Sequence, residues 1–123
     1  MGVAIKRVYE SLSPRDGFRV LVDRVWPRGV AKAKARIDLW LREIAPSTAL
    51  RRWFRHDPAR WKTFCARYRG ELREKADLLD LLRERARRGP VTLLYSARDK
   101  KFNQAAALKL FLEQRAKRRS AAR

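Results

Sequence analysis

VTLLYSARDKKFN, residues 91–103, decides the fold. Its first five residues are apolar or β-branched with no polar alternation, and the run stops abruptly at Ser96, Arg98 and Asp99. Such a short apolar run between Gly89-Pro90 and a charged loop reads as a strand covered on both faces. From Asn103 to about residue 118 the apolar spacing becomes helical, with Ala105, Leu108, Phe111 and Leu112 on one side. A second stretch of the same kind, FRVLVD at 18–23, runs into VWPRG, where Pro27 and Gly29 end regular structure. Two interior strands joined by a long helical connection make a βαβ unit, so 18–23 and 91–95 are expected to pair in parallel with a right-handed crossover.

The rest of the chain fits around that unit. VAIKRVY at 3–9 supplies a first strand over 3–8, and SLSPRDG at 11–17 carries turn chemistry in Pro14, Asp16 and Gly17. That connection is short for a parallel crossover, which leaves a hairpin between the first two strands open. Ile37, Trp40, Leu41 and Ile44 stand at i, i+3, i+4 and i+7, which predicts a helix over 37–44 ending at Pro46. Ser47 is placed to cap a short helix, TALRRWF, and Asp57-Pro58 to open the next, whose stripe is Trp61, Phe64, Cys65 and Tyr68. Gly70 is expected to punctuate it before a long helix to Arg88 carrying Leu72, Ala76, Leu79 and Leu82. Within these stripes Trp40, Trp61 and Cys65 read as core. The expected architecture is one small α/β domain over 1–114, a mostly parallel, Rossmann-like sheet of three to four strands with packed helices. RAKRRSAAR at 115–123 follows as a basic helix end and disordered tail.

Composition narrows the chemistry. A single cysteine rules out an internal disulfide, and one cysteine with one histidine cannot supply a structural zinc site; no metal and no cofactor is expected. No apolar run is long enough to span a membrane and the N-terminus lacks a signal-type stretch, so a cytoplasmic protein with no membrane partner is expected. Lys and Arg number 32 against 13 Asp and Glu, a net charge of +19. That charge attracts polyanions and concerns partners rather than fold.

Five strings match a known family: RVYE (7–10), GFRVLVDRVWPRGV (17–30), DLWLREIAPS (38–47), LRRWFRHDPARW (50–61) and GPVTLLYSARD (89–99). Over residues 3–113 the chain resembles the domain-of-unknown-function 488 family, in its short YeaO-like branch. The resemblance implies a compact α/β fold, with the first strand parallel to the second as in longer, Rossmann-like members, and no established reaction. Those longer members tend to carry a cysteine near the end of the last strand and a cysteine–histidine pair opening the following helix. Here the strand ends at Tyr95 and the helix opens at Asn103-Gln104.

Open α/β sheets bind ligands beyond the carboxyl ends of their strands. Asp23 and Arg24 close one strand, and each reads either as a ligand contact or as half of an internal ion pair. Arg28, held between Pro27 and Gly29, is a rigidly mounted guanidinium suited to phosphate or carboxylate. Trp26 stands in the same string and can line a pocket. At the second strand end Tyr95, Ser96, Arg98, Asp99 and Asn103 are candidate ligand contacts, with capping of the next helix as the alternative use of Asp99 or Asn103. His56, the only histidine, is a candidate proton carrier alongside Asp23, or a structural residue at a helix boundary. Trp53, like Trp26, sits in a family string. Whether the chain is an enzyme is left open. The first expectation is an anion site near Asp23 and Ser96 for a phosphorylated small molecule or nucleotide. The alternative is a non-catalytic nucleic-acid-binding module that uses the basic surface and tail.

Overall fold

The computed structural model describes residues 2–121, with side chains through Gln114. Four strands, β1 (Val3–Arg7), β2 (Phe18–Leu21), β3 (Leu39–Trp40) and β4 (Val91–Tyr95), form one sheet in the order β1-β4-β2-β3. Every pairing is parallel, with Val3 opposite Val91, Phe18 opposite Val91 and Val20 opposite Leu39. β4, the most apolar strand, therefore lies inside, and all five of its residues are buried. β1 and β2 do not form a hairpin: they flank β4, and residues 8–17 carry the chain back to the foot of the sheet.

That return is held by Asp16. The Pro14–Asp16 3₁₀ turn is closed by a reciprocal cap with Ser13. The Asp16 carboxylate also accepts from Lys6 Nζ (3.1 Å) and from the Arg19 guanidinium, and its backbone carbonyl accepts from Thr92 Oγ1 (2.8 Å). Burial works against the charge, but the Lys6, Ser13 and Arg19 contacts win and hold the carboxyl below its usual range.

One face of the sheet, with Val20, Val22, Leu93 and Tyr95, packs on the helices. These are α2 (Thr48–Phe54), α3 (Trp61–Leu72), α4 (Ala76–Arg88) and α5 (Gln104–Ala121), after a single-turn α1 (Lys32–Ala35). On the other face Leu21, Leu94 and Val8 lie under Trp26, Val30, Ile37 and Trp40. Coverage on both sides explains why β2 and β4 read as unbroken apolar runs.

Residues 37–44 correct the helical expectation. Leu39–Trp40 is an edge strand on β2, extended by the bonds Asp38 N–H to Arg19 O and Leu41 N–H to Leu21 O, both 2.9 Å. Only Arg42–Ile44 turns helically, as 3₁₀. From Leu39 to Leu41 the side chains alternate between layers, Leu39 and Leu41 joining the main core and Trp40 the smaller one, which Ile37, ahead of the strand, also joins. A helical spacing and a two-residue alternation coincide here, and the open edge of β2 decides between them. Gly70 likewise does not interrupt its helix. The break falls at Arg73–Lys75, and Ala76 is exposed, so the buried stripe of α4 is Leu79, Leu82, Arg83 and Ala86. Trp40, Trp61 and Cys65 are half-buried rather than deep core. Ser47 and Asp57 cap as expected, onto Leu50 N–H and Ala59 N–H. α5 extends past the expected end near 118, and the side chains of the basic segment 115–123 lie outside the described residues. Among the described residues no helix is long and apolar enough to cross a membrane.

Candidate functional site

The sheet brings the two strand ends together. Val22 N–H still bonds Leu94 O (3.0 Å), so β2 stays beside β4 up to Asp23, and Asp23 meets Ser96 where β4 ends. Asp23 Oδ2 accepts from Ser96 N–H (3.1 Å) and Ser96 Oγ (2.5 Å), and Oδ1 accepts from Gln104 Nε2 (2.5 Å) in the first turn of α5. One carboxylate thus ties β2, β4 and α5. Burial pushes its pKa up, opposed by the Ser96 bonds, the Arg51 charge and Gln104.

Beyond this tie opens a cleft of about 240 Å³. Asp23, Arg24, Trp26, Arg28, His56 and Ser96 line it, so six of the residues picked out from sequence share one site. Arg51 and Gln104 line it too, unanticipated. Only the order of the strands and the packing of α2 could reveal Arg51, because nothing in its own neighbourhood distinguishes it from Arg52.

Each wall is fixed by specific bonds. Arg24 donates to Ala45 O (3.0 Å) and Pro46 O (3.4 Å), and Lys75 Nζ reaches the same Ala45 carbonyl (3.2 Å). Burial, with the nearby Arg24 charge, lowers the Lys75 pKa. The loop after Asp23 is pinned by Trp26 Nε1 to Val30 O (2.8 Å), Tyr9 OH to Arg28 O (3.0 Å) and an edge-on contact of Trp26 with Trp40 at 5.3 Å. Arg28 is exposed on this stapled loop.

His56 forms the opposite wall. Arg55 and His56 both have positive φ, 48° and 55°, which turns the chain sharply after α2. His56 Nδ1 is 2.8 Å from Phe102 O. A carbonyl only accepts, so Nδ1 carries a hydrogen and donates it to Phe102 O.

The remaining candidates serve the loop into α5. Asp99 Oδ1 accepts from Lys101 N–H and Phe102 N–H, both 2.9 Å, and these bonds hold its carboxyl below the usual range. Asn103 is fully buried: it donates to Asp99 O (2.9 Å) and accepts from Ala106 N–H (2.8 Å) as the cap of α5. Tyr95 is 2% exposed and packs in the helical core, and burial raises its pKa. Arg98 is exposed. None of these four lines the cleft. Among the described residues no cluster of His, Cys, Asp and Glu is arranged to hold a metal ion.

The molecule is a small all-parallel α/β protein in which the buried Asp23 carboxylate organises a basic cleft at the carboxyl edge of the sheet. The chain belongs to the DUF488-N3i family, described as the inactive DUF488-N3 subclade, whose model matches residues 2–123. It is 41% identical over 108 residues to the uncharacterised protein YeaO of Escherichia coli, covering 88% of this chain and 94% of that one. It is 42% identical over 113 residues to the uncharacterised protein Rv3073c of Mycobacterium tuberculosis, covering 92% and 95%, and equally so to Mb3100c of Mycobacterium bovis. No solved structure gives a significant match.

Proposed function

We propose that the cleft binds the phosphate or carboxylate group of a small anion, a phosphorylated metabolite or nucleotide, and holds it without turning it over. The observation that carries this reading is the imbalance of free and committed groups at the cleft. Arg28 and Arg51 line it with guanidiniums that make no side-chain hydrogen bond among the described residues, while the one acid there, Asp23, is occupied by three donors. Planar, always-charged forks with unused donors match a phosphate or carboxylate. The remaining Arg24 hydrogens extend the set of donors. α5 begins at the same place with the positive end of its dipole.

Binding without turnover is supported by three features. Asp23 acts as a structural tie. The only cysteine, Cys65, lies between α3 and α5 beside Tyr68 and Phe111 rather than in the cleft. The subclade is described as inactive.

The test is titration calorimetry with inorganic phosphate, ribose 5-phosphate and nucleoside mono- and diphosphates. At least one is expected to bind, and Arg28→Gln/Arg51→Gln is expected to weaken it at least ~10-fold, as for the loss of charge-assisted bonds of about 1.5–3 kcal/mol each. No binding to the wild-type protein, or equal binding to the double variant, would overturn the reading.

A further inference from the structure

The positive charge of this chain is not evenly spread. Residues 24–36 contain five Lys and Arg and no acid, and residues 48–70 contain seven and one acid, Asp57. Residues 71–88, mostly α4, hold six basic residues against five acids. There the charges pair along the helix: Arg83 with Asp80 at 3.7 Å, Arg87 with Glu84 at 2.9 Å and Arg88 with Glu84 at 3.4 Å. The two acid-poor segments supply opposite walls of the cleft, Arg24 and Arg28 from one, Arg51 and His56 from the other.

Past the cleft the basic surface continues. Arg52, Arg55, Arg60, Lys62 and Arg67 are all exposed on α2, α3 and the turn between them. Arg60 and Arg67 lie over the Trp53 ring, 5.2 and 4.3 Å from its centre, which fixes two guanidinium planes before any ligand arrives. Asp57, the one acid of residues 48–70, is engaged locally, accepting from Ala59 N–H (3.0 Å) and lying 3.8 Å from Arg60 Nε. Glu71 and Glu74 border the groove beside Trp53 and Arg67 and mark the limit of the basic face, Glu71 being occupied by Ser47. The large exposed apolar residues, Tyr9, Leu12, Val25, Leu81 and Leu110, fall outside residues 48–70. The face therefore lacks the apolar anchor of a membrane-binding surface. A row of exposed cations, two of them oriented over Trp53, leading away from a cleft that takes an anion fits a ligand with phosphates at regular intervals.

We infer that the anion held in the cleft is one phosphate of a nucleic-acid strand, whose neighbouring phosphates lie along the basic face of α2 and α3. This rests on the cleft being an anion site, and the experiment separates the two claims. Fluorescence anisotropy with a labelled 20-nucleotide single-stranded DNA and its RNA counterpart, from 50 to 300 mM salt, is run on the full-length chain. Three proteins are compared: wild type, Arg52→Gln/Arg60→Gln/Arg67→Gln, and the equal-charge control Arg73→Gln/Arg87→Gln/Arg88→Gln. Circular dichroism confirms that each is folded, and a milder Arg52→Gln/Arg55→Gln variant stands in if stacking on Trp53 proves structural.

Each lost phosphate contact lowers the slope of log affinity against log salt by about 0.7 for single strands, so the face variant is expected to lose about 2 from that slope while the control keeps it. Calorimetry with a nucleoside monophosphate should give the same affinity for all three proteins. Equal losses in the face variant and the control would reduce the effect to net charge and overturn the backbone inference alone. Failure of the wild-type protein to bind any monophosphate would overturn the cleft reading and this inference with it.

Discussion

Gly17→Ala probes the foot of β2, where the registration of the whole site begins. Gly17 sits at φ 64°, ψ −130°, a conformation a side chain resists, and its first neighbour is the backbone of Pro90. A Cβ there would fall on the Pro90 carbonyl oxygen and within 2.8 Å of its carbon. That oxygen accepts from Phe18 N–H at 2.9 Å, the bond that starts β2 beside β4. Backbone strain of about 1–3 kcal/mol adds to overpacking of about 1–3 kcal/mol, since a backbone cannot step aside as a flexible side chain does. The expected loss is on the order of 4 kcal/mol, a large share of the ~5–15 kcal/mol typical of a domain. In urea unfolding followed by tryptophan fluorescence, with a slope of about 2 kcal/mol/M, the midpoint should fall by about 2 M. Gly29→Ala is the internal reference. Gly29 is also at positive φ, 73°, but its Cβ would meet nothing within 4 Å, so only the left-handed penalty of about 1–2 kcal/mol applies. Equal losses at the two positions would refute the close approach of Gly17 to Pro90 and with it the stated anchoring of β2.

Asp16→Asn removes the partner of a buried Arg19 and should lower stability by about 3–5 kcal/mol at neutral pH. Because the folded Asp16 pKa lies below its unfolded value of 3.8, the wild-type advantage exists above that pH and should vanish as pH falls further, read by thermal unfolding across pH. Asp23 runs the other way: its folded pKa is raised, so its stabilising share is complete below 3.8 and fades as pH climbs through the folded value. Asp23→Asn should therefore gain on the wild type as pH rises over that window in the same measurement. Ser47→Ala deletes the cap onto Leu50 N–H and the 2.6 Å bond to Glu71, and should lower stability by about 1–2 kcal/mol in urea titrations. Gly70→Ala, inside α3 with open space at its Cβ, should raise stability by about 0.5–1 kcal/mol.

Much of this molecule is written locally. β4 and β2 announce themselves because a strand covered on both faces has no polar alternation to disguise it, and Ser47 and Asp57 mark helix starts through chemistry confined to a few residues. The cleft residues Asp23, Arg24, Trp26, Arg28 and Ser96 follow from those strands, since the carboxyl ends of parallel neighbours must lie together. What stayed hidden depends on distant partners. Leu39–Trp40 is a strand only because β2 offers an unpaired edge, and Arg51 reaches the cleft only because α2 packs where it does. Asn103 and Asp99 could each serve a ligand or a cap; Asn103 caps α5, and Asp99 holds the turn that leads into it.

The order β1-β4-β2-β3 places the central strand last in synthesis among the strands. Until residues 91–95 leave the ribosome, β1 has no neighbour, and β2 has only the two-residue edge of β3. The first ninety residues therefore emerge with apolar strand surface and no sheet to join, and every β1 and β2 contact with β4 closes a loop of some seventy residues or more. Closure of the sheet thus waits on a late segment, with β4 filling the slot between two strands that do not pair with each other.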